Sequence, residues 1–283
     1  MLESVGTSGP WTTPGRIVSD PDALSAPELI LTLADSTTQP RLTAAGLVAA
    51  GALLGIDAGA IRVAAARLVK KGVLEQRTRG VYGLGRRGGE MHRRVQAWHR
   101  VEAQLAPWDG RWIGVFTGHL GRSDKSGLRA RERALRLKGF APARPGLAVR
   151  PANLRAHLPE LRLELAELGL DPDALVLGID LPDPHHPFDP RALWDTAALE
   201  RRYLEHCAHL QASTARVPEL DVQSAARETL LLGRAVMRDI LTDPLLPEAM
   251  VDTARRRQMI EAMVAYDRLG KGCWRAFYRA LGA

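Results

Sequence analysis

Residues 55–72, Gly55-Ile56-Asp57-Ala58-Gly59-Ala60-Ile61-Arg62-Val63-Ala64-Ala65-Ala66-Arg67-Leu68-Val69-Lys70-Lys71-Gly72, decide how the chain is read. Asp57 is a side chain that caps helix N-termini, and Gly72 suits the left-handed position just past a helix end, so the spacing predicts a helix over 58–71. Within it Ile61, Ala64, Ala65 and Leu68 recur at helical spacing and should face a core. Arg62, Val63, Ala66, Arg67 and Lys70 are left on the outer side. Upstream, Thr43 can cap another helix running to about Leu54, in which Gly46 and Gly51 each cost about 1 kcal/mol relative to alanine. Close helix packing is one reason to keep them. Gly55-Ile56-Asp57 reads as the tight turn between the two helices.

Working outward, Val73–Gln76 and Val81–Leu84 alternate around Arg77-Thr78-Arg79-Gly80, a short hairpin with glycine in its turn. Before the pair, Ser25 caps a helix with Pro27 in its first turn and Leu29, Ile30 and Leu33 on its apolar face, ending near Pro40. Helix, helix, turn, helix and hairpin over 25–85 describe a winged helix-turn-helix. Residues 1–24, rich in Gly, Pro, Ser and Thr, read as a disordered tail.

The charge is concentrated in the same region. The whole chain of 283 residues is formally +7. From Ala58 to Arg100, eleven basic residues stand against Glu75 and Glu90, so this stretch is +9 and the remainder sums to −2. A solvated helix face usually interleaves both signs so that i,i+4 pairs can form, and here the acids are missing. A polyanion is the partner this pattern suits.

Beyond the hairpin, an Arg-rich helix over 86–106, with Met91, Val95, Trp98, Val101 and Leu105 on one stripe, reads as a linker that Pro107 stops. A strand over 111–117, a helix over 125–138, two short strands around Pro142–Pro145, a helix over 153–168 and a strand over 174–181 follow. That β-α-β-β-α-β order predicts a ferredoxin-like domain over 107–182 with two helices on one sheet face. The other face then needs a partner, either another domain or a second subunit. Pro182–Pro190, with His185 and His186, reads as a proline-rich linker. Within 183–283 helices are expected over 190–212, 222–241, 247–263 and 271–281, with breaks at Pro218, Asp243-Pro244 and Gly270. The expected fold class is therefore α+β and multidomain, with a helical C-terminal domain.

Composition removes other classes. Two distant cysteines, Cys207 and Cys273, cannot form a disulfide scaffold, and a reducing cytoplasm is the expected compartment. The longest uncharged run, Leu42–Ile56, is shorter than the roughly 20 apolar residues of a membrane helix. Glu3 and the lack of an apolar run after it read against a secretory signal.

The run from Ala60 to Leu74 is similar to the recognition helix and first wing strand of the PaaX-type transcriptional repressors, regulators of phenylacetate catabolism. Three later segments match in order. They are Trp108-Asp109-Gly110-Arg111-Trp112, Gly139-Phe140 with Arg144-Pro145-Gly146-Leu147-Ala148-Val149-Arg150-Pro151, and Arg238 with Asp243-Pro244-Leu245-Leu246-Pro247. The resemblance covers about residues 25–283. It implies a three-part homodimeric repressor that binds a palindromic operator in double-stranded DNA and is released by an aryl-CoA thioester, phenylacetyl-CoA in the family.

The candidate DNA-binding residues are Arg62, Arg67, Lys70, Lys71, Arg77 and Arg79. Arg62 and Arg67 can reach guanine O6 and N7 from the helix face, with Val63 and Ala66 against a thymine methyl. Lys70 and Lys71 suit phosphate, and Arg77 and Arg79 sit where a wing touches backbone or minor groove. Arg86, Arg87, Arg93 and Arg94 add to the general field. The bland alternative is that Arg67 or Lys70 pairs with an acid on a neighbouring helix. The rival class is a metal-dependent nuclease, but the first middle strand ends in Thr117-Gly118-His119-Leu120 where an acid is needed, and Asp109 and Asp124 flank it without converging. No cofactor is expected. His206-Cys207-Ala208-His209 puts only two ligands on one helix face and reads as ordinary helix surface. Trp98, Trp108, Trp112, Trp194 and Trp274 could stack an aryl effector, though buried junction tryptophans are commoner. Arg201, Arg202 and Arg238 could meet its phosphates or be surface charge, and the effector pocket itself is not legible.

Overall fold

A computed structural model describes residues 24–35, 42–89, 97–121, 123–180 and 188–282 of the chain. The expected tail through residue 23, the helix end near Pro40, His185-His186 and Arg93-Arg94 lie outside these residues. Helices and two antiparallel sheets make up the fold.

The first sheet belongs to a unit of three helices, α1 (Ala26–Asp35), α2 (Ala44–Leu53) and α3 (Ala58–Lys70), with strands β1 (Leu42–Thr43), β2 (Leu74–Thr78) and β3 (Val81–Leu84) in the order β1-β3-β2. Each boundary has a local cause. Ser25 donates to Glu28 through both its backbone N–H and its hydroxyl, Thr43 Oγ1 accepts from Gly46 N at 3.0 Å, and Asp57 Oδ1 accepts from Gly59 N and Ala60 N. At the far end of α3, Gly72 takes φ +68°, Gly72 N donates to Val69 O and Val73 N to Leu68 O. This paired pattern satisfies the last carbonyls of a helix. A Cβ on Gly51 would stand 2.8 Å from Ile61 Cγ1, so the glycine is what lets α2 and α3 approach. The two-residue β1, paired Leu42 to Tyr82 and Thr43 to Val81, is too short to read from sequence. Leu24, placed in the tail by the sequence, is buried in this unit's core.

The expected helix over 86–106 is corrected. One helical turn covers 86–89, residues 90–96 lie outside the described part, and Ala97–Gln104 is 3-10 helix broken at Arg100. The break lets Trp98 enter the C-terminal core while Glu102 turns to Arg256 and Arg257. Tertiary contacts override the helical period here.

The second sheet, in the order β5-β6-β4-β7, comprises β4 (Trp112–Phe116), β5 (Ala141–Arg144), β6 (Leu147–Pro151) and β7 (Leu175–Ile179), antiparallel throughout. Helices α4 (Lys125–Leu137) and α5 (Leu158–Leu168) complete a β-α-β-β-α-β order. Their Ala134, Leu161 and Leu165 pack on Ile113, Val115 and Ala148 of one sheet face. The helix expected from Asn153 starts five residues later. Asn153 is buried, where its Oδ1 accepts from Arg150 and its Nδ2 donates to Leu245 O at 2.8 Å, so it serves as a tertiary tie.

Three helices follow, α6 (Thr196–Arg216), α7 (Val222–Leu241) and α8 (Thr253–Ala280). A 3-10 turn, Pro190–Leu193, occupies the start of the helix expected from Pro190, and α8 begins at its Asp252 cap and not at Pro247. The expected break at Gly270 is absent. Gly270 is buried in unbroken helix, where a Cβ would stand 3.3 Å from Thr229 Cβ, so it marks a close crossing with α7. Between α7 and α8, Asp243–Pro247 forms a junction: Asp243 accepts from Tyr203 Oη at 2.6 Å and from Leu245 N, and Leu245 is held at φ +54°. The N-terminal core does not close on itself. Ala226 and Leu230 of α7 and Trp274, Phe277 and Tyr278 of α8 belong to the same cluster as Leu29, Ile30, Leu47 and Leu68.

Candidate nucleic-acid interface

Helix α3 sorts its residues cleanly by side. At about 100° per residue, Ile61, Ala64, Ala65 and Leu68 fill one arc of about 100°, and Arg62, Val63, Ala66, Arg67 and Lys70 fill the opposite arc of about 140°. The first set is buried against α1 and α2, and the second is exposed, Val63 to 51%. A valine held this far in water beside alanine and arginine leaves a convex, low-relief ridge. Gly59 and Ala60, also exposed, keep the N-terminal end slim.

Arg62, Arg67, Lys70 and Lys71 are all exposed, and among the described residues none has a carboxylate within ion-pairing distance. The alternative in which Arg67 or Lys70 pairs with a neighbouring helix's acid is therefore not realised within that set. The carboxylates nearest in sequence are engaged elsewhere, Asp57 as the helix cap and Glu75 with Arg77. Such a ridge can offer guanidinium N–H groups to a pair of acceptors and ammonium groups to phosphate without first breaking an ion pair.

The hairpin divides its two arginines. Arg79 lies exposed in the turn beside Gly80, whose φ is +75°. Arg77 sits within β2, donates from Nε to Glu75 Oε1 at 3.0 Å, and crosses Gly83 so closely that a Cβ there would stand 2.5 Å from its Nε. Arg77 is thus part of the hairpin surface and shares its charge with Glu75, a pairing that the sequence pattern does not reveal. Gly80 O also accepts from Ala44 N at 2.8 Å, which ties the hairpin turn to the start of α2. Arg86 and Arg87 are exposed on the following helical turn.

The other candidates gather elsewhere. His206 Nε2 lies 2.9 Å from Asp239 Oδ2, Cys207 is buried and its thiol is pushed up by burial, and His209 is exposed. Among the described residues no group of three or more His, Cys, Asp or Glu side chains is placed to hold a metal ion. Arg238 lies 3.6 Å from Asp239. Burial works to raise the Asp239 carboxyl, but the His206 hydrogen bond and the fields of Arg202 and Arg238 leave it lowered. Asp109 is paired with Arg111, and Asp124 caps α4 through Ser126 N, so the carboxylates that a nuclease would need are engaged apart. Trp98 and Trp274 are core residues, while Trp112 packs edge-on to Trp108 at 5.5 Å and stacks on Trp194 at 6.1 Å. Among the described residues no helix is long and apolar enough to cross a membrane.

Over 219 residues the chain is 29% identical to the transcriptional repressor PaaX of Escherichia coli (strain K12). The chain is similar to a PaaX-type repressor. The aligned part covers 70% of the chain and 64% of PaaX, so it spans somewhat less than two thirds of that relative. No family model matches. In fold the chain is similar to the uncharacterized protein Rv0674 from Mycobacterium tuberculosis. The TM-score is 0.56 at 21% identity, over 88% of this chain and 98% of that one.

Proposed function

We propose that the chain is a sequence-specific DNA-binding transcriptional repressor, with residues 25–85 as a winged helix-turn-helix and α3 as its recognition helix. The observation that carries this reading is the outer face of α3, where Arg62, Arg67 and Lys70 stand exposed around Val63 and Ala66 with no acid paired to them among the described residues. A major groove admits a helix of this kind, guanidinium groups pair with guanine O6 and N7, and small apolar side chains meet thymine methyls. Lys70 and Lys71, at the end of α3, reach phosphate and fix register. Arg79 extends from the wing, and Arg77 does so with part of its charge offset by Glu75.

The remaining organisation follows the same reading. Residues 107–182 form a ferredoxin-like domain, supported by the β5-β6-β4-β7 strand order with both helices on one face. Residues 183–283 form the helical domain, joined through 86–106. The protein acts in the cytoplasm as a homodimer on a palindromic operator, represses aromatic-acid catabolism and is released by an aryl-CoA thioester such as phenylacetyl-CoA. Similarity to PaaX supports the repressor assignment.

Mobility shifts on duplex DNA across a salt series test it. Arg62→Ala should lower affinity by about 1–3 kcal/mol and relax base preference, and Lys70→Ala should weaken all sequences alike and flatten the salt slope by about one unit. Unchanged binding in both variants would overturn the assignment of α3.

A further inference from the structure

The charge of −2 outside residues 58–100 conceals a second basic locus. Over 124–138 six basic residues, Lys125, Arg129, Arg131, Arg133, Arg136 and Lys138, stand against Asp124 and Glu132. Part of this charge is used within the fold. Arg131 Nε donates to Asp171 Oδ2 at 2.8 Å, Lys138 is paired with Glu164, and Asp124 caps α4. Lys125, Arg129, Glu132, Arg133 and Arg136 are left, all of them exposed.

At about 100° per residue these five fall on one arc of about 100°, on the other side of α4 from the buried Arg131 and Ala134. The four cations follow one another at steps of four, four and three residues, so they form a row about 17 Å long with rungs about 5–6 Å apart. Among the described residues no carboxylate, Glu132 included, stands within ion-pairing distance of any of the four. The row is held from beneath. Ala134 and Leu135 pack in the core under the sheet, and just past the end of α4 Gly139, at φ +72°, lies so close to Pro244 that a Cβ would stand 2.5 Å from its carbonyl oxygen.

What the arc lacks selects its partner. A helix that lies on a bilayer sinks its apolar face, and that of α4 is spent on the sheet. A protein interface has an apolar centre depleted of charge, and this arc carries no apolar residue. Phosphates require cations alone, and about 17 Å of duplex axis carries about ten of them, five on each strand. We infer that the outer face of α4 is a second, sequence-independent contact for the phosphate backbone of duplex DNA. This contact rests on the repressor reading and extends it. The N-terminal unit packs near the start of α7 through Ala226 and Leu230, and the middle domain packs on Pro244 and Leu245 past its far end, so α4 meets phosphates outside the base pairs that α3 reads. Where α3 mixes its cations with Val63 and Ala66, α4 offers cations without small apolar neighbours, which position a duplex without reading it.

The test uses the full chain and a mixed-sequence duplex of several helical turns, read by fluorescence anisotropy across a salt series. The variants are Arg129→Ala combined with Arg133→Ala, then Glu132→Gln, Arg62→Ala and Lys70→Ala, with far-UV circular dichroism as the control for folding. The paired variant should lose about tenfold or more in affinity at about 0.1 M salt and flatten the salt slope by about two units, one for each phosphate contact. Glu132→Gln should bind about twofold or more tightly than the unaltered protein. An unchanged slope in the paired variant overturns the contact, and if that variant fails to fold, unchanged affinity in Glu132→Gln does so. Binding to phosphatidylserine vesicles that the paired variant loses while its DNA slope stays the same would give the row to a bilayer and overturns it as well. If Arg62→Ala and Lys70→Ala leave DNA binding as it was while the paired variant weakens it, the α4 contact stands and the assignment of α3 falls. The reverse pattern removes the α4 contact and leaves the repressor reading in place.

Discussion

Arg234 Nη2 lies 2.9 Å from Glu28 Oε1 and ties α7 to α1 across 206 residues of sequence. With the two side chains 25% and 49% exposed, the pair contributes at most about 1 kcal/mol. Apolar packing contributes more, where Trp274, Phe277 and Tyr278 complete the core of the N-terminal unit. Urea denaturation should therefore give a loss under about 1 kcal/mol for Arg234→Ala and about 3–5 kcal/mol for Trp274→Ala. A fragment ending at residue 85 should show no cooperative transition. A stable fragment would mean that α8 leans on this unit without supporting it.

The same pair sets a pH dependence. Hydrogen bonds from the Ser25 hydroxyl and backbone N–H, and then the Arg234 charge, hold the Glu28 carboxyl below its ordinary range although partial burial opposes them. A depressed folded-state pKa gives stability that is present above the unfolded-state pKa, near 4.3, and lost as pH falls through the folded value. Denaturation at pH 6.5 and pH 3 should show a smaller difference in Glu28→Gln than in the unaltered protein. An equal difference would show that other carboxylates carry the acid loss.

Buried polar groups join the four-stranded sheet to the C-terminal helices. Arg150 is fully buried, its pKa pulled down to about 10 by desolvation, and its guanidinium donates to Lys138 O, Pro151 O and Asn153 Oδ1, with no carboxylate in reach among the described residues. Asn153 passes the connection to Leu245 O beside the Asp243–Tyr203 pair. Asn153→Ala would leave part of a buried cation and a buried carbonyl without partners, each costing about 1–3 kcal/mol. Loss of about 2–5 kcal/mol in guanidinium denaturation, with faster amide exchange around Leu245, is the expected outcome. A loss under about 0.5 kcal/mol would mean that water replaces the amide.

What the sequence revealed and what it hid divide along one line. Asp57, Gly72 and Gly80 act within their own turns, so the helix, its end and the hairpin were legible, and the period of α3 already separated Arg62 and Arg67 from the core. An isolated glycine weakens a helix, so Gly270 looks like a stop in the sequence, but its role is to let Thr229 approach, which only the crossing with α7 reveals. Asn153 and the 97–104 segment misled for the same reason: partners some 90 to 155 residues away, Leu245 and Arg256, outweigh local preference. The sequence pattern ends the strand at Gln76 and leaves Arg77 in the turn, whereas β2 runs on to Thr78 and so brings Arg77 onto the same face as Glu75.

Gly51 offers a test of how firmly α3 is aimed. Alanine there would gain about 1 kcal/mol of helix propensity. Its Cβ, however, would stand 2.8 Å from Ile61 Cγ1, 3.1 Å from Ile61 Cδ1 and 3.3 Å from Ile56 O. Ile61 is enclosed on the buried side of α3 and cannot swing out to water, so α3 must move away from α2. Overpacking of this kind costs about 1–3 kcal/mol, which outweighs the propensity gain. Gly51→Ala should thus lower stability by about 1–2 kcal/mol and weaken DNA binding on every sequence alike, because the whole ridge of Arg62, Arg67 and Lys70 shifts as a body. Gly272→Ala, inside α8 where an added Cβ meets nothing within 4 Å, should raise stability by up to about 1 kcal/mol, so the two variants separate packing from propensity. A stabilised Gly51→Ala protein would show that α2 and α3 have slack between them and that the ridge is not fixed by this contact.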